Sequence, residues 1–464
     1  MKLKHVSLSV MMMGATTVAM ASGYHFGTQS VSAQSTANAS AAEAANASTI
    51  FYNAAGMTKL EGTNFSGALS LVAPSVEYSN AQATYPTASI SPLNANVKGQ
   101  TGGKITEDLI AVPQMYLTHQ LNNKVTVGLG IYVPFASSTE YQRDSVLRYN
   151  LNATELTTMD INPTVAFKLS EQHSVAVGVL AQHAEAKLRQ YANFGYLLAR
   201  GAGATGAALL NSNGTADGYA DVEGDDWGFG YNLAWLWDVN DSTRLGVNYR
   251  SKIEHTLTGT AKWNKDLAGA AGAAALNAAG YKDSESAKVD ITTPEALSVH
   301  GMHKLNSKTN LFADVTWTKH SRFDKALLVY GNAKTGQGNT TYLTPAWKDT
   351  YKVSLGGSYQ YTEPLQLRAG IAYDKSPVPN DDRRLATIPD NDRIWLSFGG
   401  KYDLNKQSSI DFAYSYIKIK DAKANVNGTC VAQGQTTCVS SQTKGTVNYK
   451  ASAQILGVQY NHRF

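Results

Sequence analysis

The chain has 464 residues, with 40 Lys and Arg against 36 Asp and Glu, and its net charge of +4 comes with no basic cluster, which excludes a nucleic-acid-binding surface. Mean hydropathy is −0.26, and beyond the N-terminus no run of 18 apolar residues occurs, so helical spans are excluded. A membrane β-barrel is not, because its strands show lipid only at every second residue, and the 25 Tyr suit the boundary between lipid and water.

Residues 1–21 read as a cleaved export signal. Lys2, Lys4 and His5 form a basic start, Val6 to Met20 is apolar, and Ala19-Met20-Ala21 offers a small-residue cleavage site, so the mature chain is expected to begin near Ser22. Residues 22–61 are rich in Ala, Ser and Asn and lack alternation, yet Ile50-Phe51-Tyr52 and Met57 give them something to bury. That composition predicts a compact hatch filling a barrel lumen.

From residue 62 to 464 the dominant signal has period two. Trp227, Phe229, Tyr231, Leu233, Trp235 and Trp237 form one face of a strand, with Gly228, Gly230, Asn232 and Ala234 on the other. Arg244 to Glu254 and Tyr351 to Tyr361 alternate in the same way. Short polar turns at 121–124, 170–173, 239–243, 305–308, 362–364 and 404–407 alternate with long segments at 79–104, 138–153, 189–225, 256–288, 322–348, 376–391 and 421–445. This rhythm predicts an all-β fold, a transmembrane antiparallel barrel of about 14 strands with turns on the periplasmic side.

Several features carry candidate chemistry. The third strand, Val125 to Tyr132, runs into Val133-Pro134-Phe135-Ala136, where proline marks either a break in the wall or a strand end. The third long loop holds Tyr191, Phe194, Tyr196, Leu197 and Leu198, and the fourth holds Trp263, Leu267 and Leu276. Exposed loops rarely carry so many apolar groups. They form either a groove, in which each buried methylene of a ligand gains about 0.8 kcal/mol, or a set of helices packed on one another. On the lumen register lie Arg250, Lys252, Lys352, Arg368 and Arg393, candidates for a ligand carboxylate or else partners of neighbours such as Glu254. Cys430 and Cys438 are close enough for a local disulfide in an exported chain, and no further Cys or His accompanies them as metal ligands. No Gly-x-Ser-x-Gly element occurs and no catalytic triad can be assembled from spacing, so no enzyme activity and no cofactor are expected. The chain ends on Phe464, on one face with Leu456, Val458, Tyr460 and His462, as suits a closing strand.

Specific motifs now add to this. Asn53-Ala54-Ala55-Gly56-Met57 resembles the hatch motif of the FadL family of outer-membrane transporters for long-chain fatty acids and other hydrophobic compounds, with Ala54 where that family normally has Pro. Trp347-Lys348-Asp349, Leu367 to Asp374, Ser376-Pro377-Val378-Pro379, Ile388 to Ser397, Trp227 to Asn232 and Asn248 to Ser251 are similar to further family segments in the same order. The resemblance implies passive transport of long-chain fatty acids, or of aromatic or alkane hydrocarbons. The cargo would pass from a loop groove to a lumenal site and leave sideways at a kink formed by Pro134, Phe135 and Ala136. It also implies a monomer in the outer membrane of a Gram-negative bacterium, among lipopolysaccharide, inserted by the assembly machinery that reads the C-terminal strand. A barrel lipase and a general porin are the competing readings.

Overall fold

The computed structural model of the chain describes residue 23 and residues 25–85, 96–203, 214–427 and 443–464. The expected signal segment and the Cys430–Cys438 bridge lie outside these residues.

Among the described residues, fourteen strands form one closed antiparallel sheet. They are β1 (Thr63–Thr84), β2 (Ile110–Asn122), β3 (Val125–Tyr132 and Ala136–Glu140), β4 (Leu151–Lys168), β5 (His173–Ala192), β6 (Gly218–Asp238) and β7 (Thr243–Arg250 and Ile253–Asn264). There follow β8 (Ser284–Thr293 and Ala296–Lys304), β9 (Thr309–Thr318 and Ala326–Lys334), β10 (Gly338–Leu343 and Thr350–Gln360), β11 (Leu365–Asp374), β12 (Arg393–Asp403), β13 (Ser408–Ile419 and Ala422–Asn427) and β14 (Lys444–Arg463). The barrel closes where β14 pairs with β1, from Asn64 opposite Arg463 to Thr84 opposite Lys444.

Alternation sets which face meets lipid. Phe229, Phe398, Leu456 and Leu355 stand exposed on the outside. Tyr351 near the start of the second part of β10 and Tyr361 just past its end are exposed about ten residues apart, which at about 3.3 Å per residue and a tilt near 40° spans about 25 Å. The short turns fall where expected, and most are locked by one side chain. Asn122, Asn240 and Asn405 each accept backbone N–H bonds from residues two and three further on, and Asn306 accepts from Lys308.

The opposite end differs from expectation. Much of the predicted loop at 189–225, 256–288 and 322–348 is strand, because β5 to β10 continue beyond the apolar band. There the outer face is polar, with ion pairs such as Arg189–Asp221 at 2.7 Å and Lys187–Glu185 at 3.0 Å. The period of two persists while the contrast between faces disappears, so the segment reads as loop.

Residues 25–60 fill the lumen and bond to opposite walls. Gln459 of β14 accepts from Val31 N (2.9 Å), Trp235 O of β6 accepts from Asn53 Nδ2 (2.9 Å), and Glu43 pairs with Arg368 of β11 (2.9 Å). The segment contains α1 (Val31–Gln34), capped by Ser30, then α2 (Thr49–Tyr52) and a 3-10 turn (Ala54–Lys59) capped by Asn53, whose Oδ1 accepts from Ala55 N at 3.1 Å. Its small residues allow backbone to lie directly on the wall. A Cβ added at Gly370 of β11 would come within 2.2 Å of the Thr36 carbonyl.

Candidate functional site

β3 is interrupted at Val133-Pro134-Phe135. On the β4 side the ladder survives, since Ala136 resumes opposite Thr157 and Thr158 bonds both Phe135 N (3.0 Å, through Oγ1) and Phe135 O (2.9 Å, through its N–H). On the β2 side it does not. Pairing with β3 runs from Asn122 opposite Val125 to Met115 opposite Ile131 and stops, leaving Ile110 to Gln114 of β2 paired with β1 alone. The far edge of this window is a bridge in which Glu140 N donates to Ile105 O and Ile105 N to Val76 O. Pro113 stands in β2 beside the window, on an edge where its missing N–H costs no ladder bond. Inside, the N-terminal segment lies against the break: Phe26 N donates to Pro134 O (2.8 Å) and Gln29 Nε2 to Val133 O (2.6 Å).

A cavity of about 1080 Å³ adjoins this break, lined by Pro134, Phe135, Phe51, Tyr52, Leu180 and Ile253 together with a polar group of Arg250, Asp160, Lys352, Asp314 and Asp374. The two lysine and arginine cations differ. Arg250 is ion-paired, with Nη2 at 2.9 Å from Asp160 and 2.7 Å from the Tyr132 hydroxyl and its guanidinium over the Phe51 ring, while its buried Nη1 makes no hydrogen bond among the described residues. Lys352 has its ammonium 4.2 Å from the Trp395 ring centroid and 3.5 Å from Gly27 O, and among the described residues no carboxylate lies within ion-pair distance. Burial pushes His320, on the turn that interrupts β9 between Thr318 and Ala326, and His25 of the N-terminal segment down to about 3. Both are therefore neutral at ordinary pH, so the cavity's cations are Arg250, paired with Asp160, and Lys352, which shares the lining with Asp314 and Asp374 beyond ion-pair distance.

A second cavity of about 670 Å³ sits directly above, further toward the extended strand ends. Its lining is almost wholly apolar, including Leu156, Leu188, Leu257, Val289, Phe323 and Ile388. Two clusters bracket it. Leu188 and Val289 also pack against the loop cluster of Phe194, Trp263, Tyr281 and Tyr330, while Phe323, Leu156 and Ile388 also pack with Phe135 at the break.

The predicted site residues distribute unevenly over this geometry. Pro134, Phe135 and Ala136 flank the break, and Asn53, Ala54, Ala55, Gly56 and Met57 are buried against the wall. Phe194, at the start of α3 (Phe194–Gly201), and Trp263 are consumed in an aromatic cluster closed by the buried Lys334–Glu285 pair. Tyr196, Leu197 and Leu198 are half-buried on α3, which contacts α4 (Gly269–Ala278), and Leu267 is exposed.

Lys252 requires a correction. The chain breaks at Ser251-Lys252, and this shifts the register by one residue, so that Ile253 and His255 turn inward while Lys252 and Glu254 pair with each other outside the barrel at 2.5 Å. Two other cations face inward but serve structure: Arg368 holds Glu43, and Arg393 is buried against Asp390, with Asp374 at 3.9 Å. Sequence reasoning missed Asp160, Pro113 and the pairing of residues 25–29 with the break. Pro113 was the one with a visible signal, a proline within an alternating strand.

A closed barrel of fourteen strands with a filled lumen, a one-sided gap in its wall and an apolar cavity above a mixed polar and apolar one defines a membrane transport protein rather than an open pore. The comparisons agree. Residues 12–464 match the sequence model of the "Outer membrane protein transport protein (OMPP1/FadL/TodX)" family, and the chain belongs to that family. It is 49% identical, over 96% of its length and 95% of the relative's, to a chain of Neisseria meningitidis serogroup B named as an outer membrane protein. It is 31% identical to a long-chain fatty acid transport protein of Escherichia coli O6:H1, over 66% of this chain and 69% of that one. The fold is similar to the crystal structure of a Pseudomonas aeruginosa FadL homologue, with a TM-score of 0.83 at 22% identity, covering 95% of this chain and 100% of the other. The protein therefore resides in the outer membrane of a Gram-negative bacterium.

Proposed function

We propose that this chain is a passive transporter of hydrophobic compounds and that its cargo is a long-chain fatty acid. The acyl chain enters the upper cavity beneath α3 and α4, where each methylene removed from water contributes about 0.8 kcal/mol. It then descends to the lower cavity, where its carboxylate meets Lys352, and leaves into the membrane through the window between β2 and β3. Residues 25–60 act as a hatch that closes the direct path to the periplasm. The E. coli relative carries long-chain fatty acid transport in its name, which supports the same cargo.

The observation that carries this reading is Lys352. A half-buried cation with no carboxylate within ion-pair distance among the described residues is costly unless an anion visits it, and it stands at the polar end of an apolar path. Replacing Lys352 with Met is expected to weaken binding of oleate by about 1.5–3 kcal/mol, roughly 10- to 100-fold, while leaving uptake of an uncharged hydrocarbon such as toluene unchanged. Equal loss for both ligands would remove the carboxylate assignment. Normal oleate uptake with defective hydrocarbon uptake in a strain lacking the protein would favour a hydrocarbon cargo instead, the activity named for structurally similar toluene transporters.

A further inference from the structure

Asn53 is completely buried and hydrogen-bonded in a way that fixes the orientation of its amide. Its Oδ1 accepts from Ala55 N at 3.1 Å, and its Nδ2 donates to Trp235 O at 2.9 Å and meets His300 Nε2 at 2.8 Å. Since Nδ2 can only donate, His300 Nε2 is the acceptor and the imidazole proton sits on Nδ1. That proton points to Ser298 Oγ at 2.8 Å, and Ser298 in turn donates to Asp314 Oδ2 at 2.5 Å. The other oxygen of Asp314 accepts from Thr316 at 2.7 Å. A directed chain therefore runs from the N-terminal segment through the wall to a carboxylate that lines the lower cavity, where Ser298 and Thr316 are also exposed to ligand.

The wall is shaped for this contact. Gly246 of β7 lies beneath the junction, and a Cβ there would fall 2.4 Å from His300 Nε2 and 2.6 Å from Asn53 Nδ2. Hydrogen bonds in such a chain polarise one another in a buried site, so weakening one end weakens the other.

We propose that His300 is a positioning residue that latches the N-terminal segment to the wall, and that Asp314 in the cavity sets the strength of that latch through Ser298. A ligand group that draws Asp314 away from Ser298 reduces the pull on the imidazole proton, and with it the basicity of the nitrogen that holds Asn53. The consequence for transport rests on the reading of residues 25–60 as a hatch over a cargo site; the latch itself does not.

Hydrogen exchange of the purified full chain, without cargo, tests the latch. His300→Phe fills the space but removes the acceptor and is expected to speed exchange at residues 53–59 roughly tenfold, the effect of leaving one buried donor unpaired. His300→Gln supplies an acceptor and is expected to restore most of the protection. Ser298→Ala, which touches nothing in the segment, is expected to speed exchange at the same residues by a smaller factor. Ser397→Ala, which removes a comparable buried hydroxyl pair with Ser415 elsewhere in the wall, is expected to leave them unchanged.

Equal exchange in the Gln and Phe variants would reduce His300 to packing and overturn the proposal, as would an unaffected segment in Ser298→Ala. If His300→Phe does not fold, Ser298→Ala and His300→Gln carry the test. Adding oleate gives the second arm: faster exchange at residues 53–59 in the wild type, lost in Ser298→Ala, supports coupling to cargo. No response to oleate alongside intact basal differences leaves the latch standing and counts against the fatty-acid reading.

Discussion

β3 and β7 are both interrupted at the level of the lower cavity, after Tyr132 and after Arg250, whose side chains touch across the lumen, yet the interruptions have opposite outcomes. At β7 both neighbours follow the break. β8 is itself interrupted between Thr293 and Ala296, so Arg250 stays opposite Ala296 and Ile253 opposite Thr293. On the β6 side, side chains replace missing ladder bonds: Ser251 Oγ accepts from Tyr231 N at 2.8 Å and Asp226 from Thr256 N at 3.0 Å. At β3 only β4 is stitched, through Thr158, and β2 turns away to pair with β1. A break in a strand therefore does not by itself open a barrel. An unmatched neighbour does.

Substitutions can break this contrast. The largest expected effect is at Arg250, the cation that bridges the two breaks by holding Asp160 of β4 and Tyr132 of β3. Arg250→Met leaves Asp160 buried and unpaired and should destabilise the barrel by about 3–5 kcal/mol, read as a lower denaturant midpoint in refolding. Unchanged stability would mean that Asp160 relaxes toward Lys352, making Arg250 available to cargo. Ser251→Ala removes the acceptor for Tyr231 N and is expected to cost about 1–2 kcal/mol; the bulged wall would then exchange faster at Tyr231 without any gain in uptake. A gain in uptake would show that the second break is a latent exit. Lys252→Ala, on the outer face, is expected to change stability and oleate affinity by less than about 0.5 kcal/mol. A larger effect on affinity would restore Lys252 to the lumenal set.

The same pair of breaks shows what could be read in the sequence. Wall strands such as Tyr351 to Tyr361 were legible because lipid on one side and packed lumen on the other impose strong contrast at period two, and Asn at fixed turn positions marks their ends. Pro134 announced its break because a missing N–H is visible in the residue itself. Ser251-Lys252 did not, since the residues carry no backbone signature and the matching break in β8 is distant in the chain; reading straight through placed Lys252 and Glu254 on the wrong face. The carboxylate candidates were legible as cations but not as partners. Which are neutralised depends on Asp160, Glu43 and Asp390, brought together only by closure of the barrel and by the segment inside it. Phe194 and Trp263 likewise read equally as groove residues or as packed loop residues, because nothing local reveals that Tyr281 and Tyr330 converge on them.

The central claim is that cargo leaves sideways between β2 and β3. The most direct measurement is photolabelling in outer-membrane vesicles with a long-chain fatty acid carrying a diazirine near its methyl end, followed by mapping of the labelled residues. Label at 109–113 and 133–136, lost in Lys352→Met, is the expected result. Label concentrated at residues 45–47 and 405–409, which line the periplasmic mouth between the N-terminal segment and the barrel seam, would contradict it.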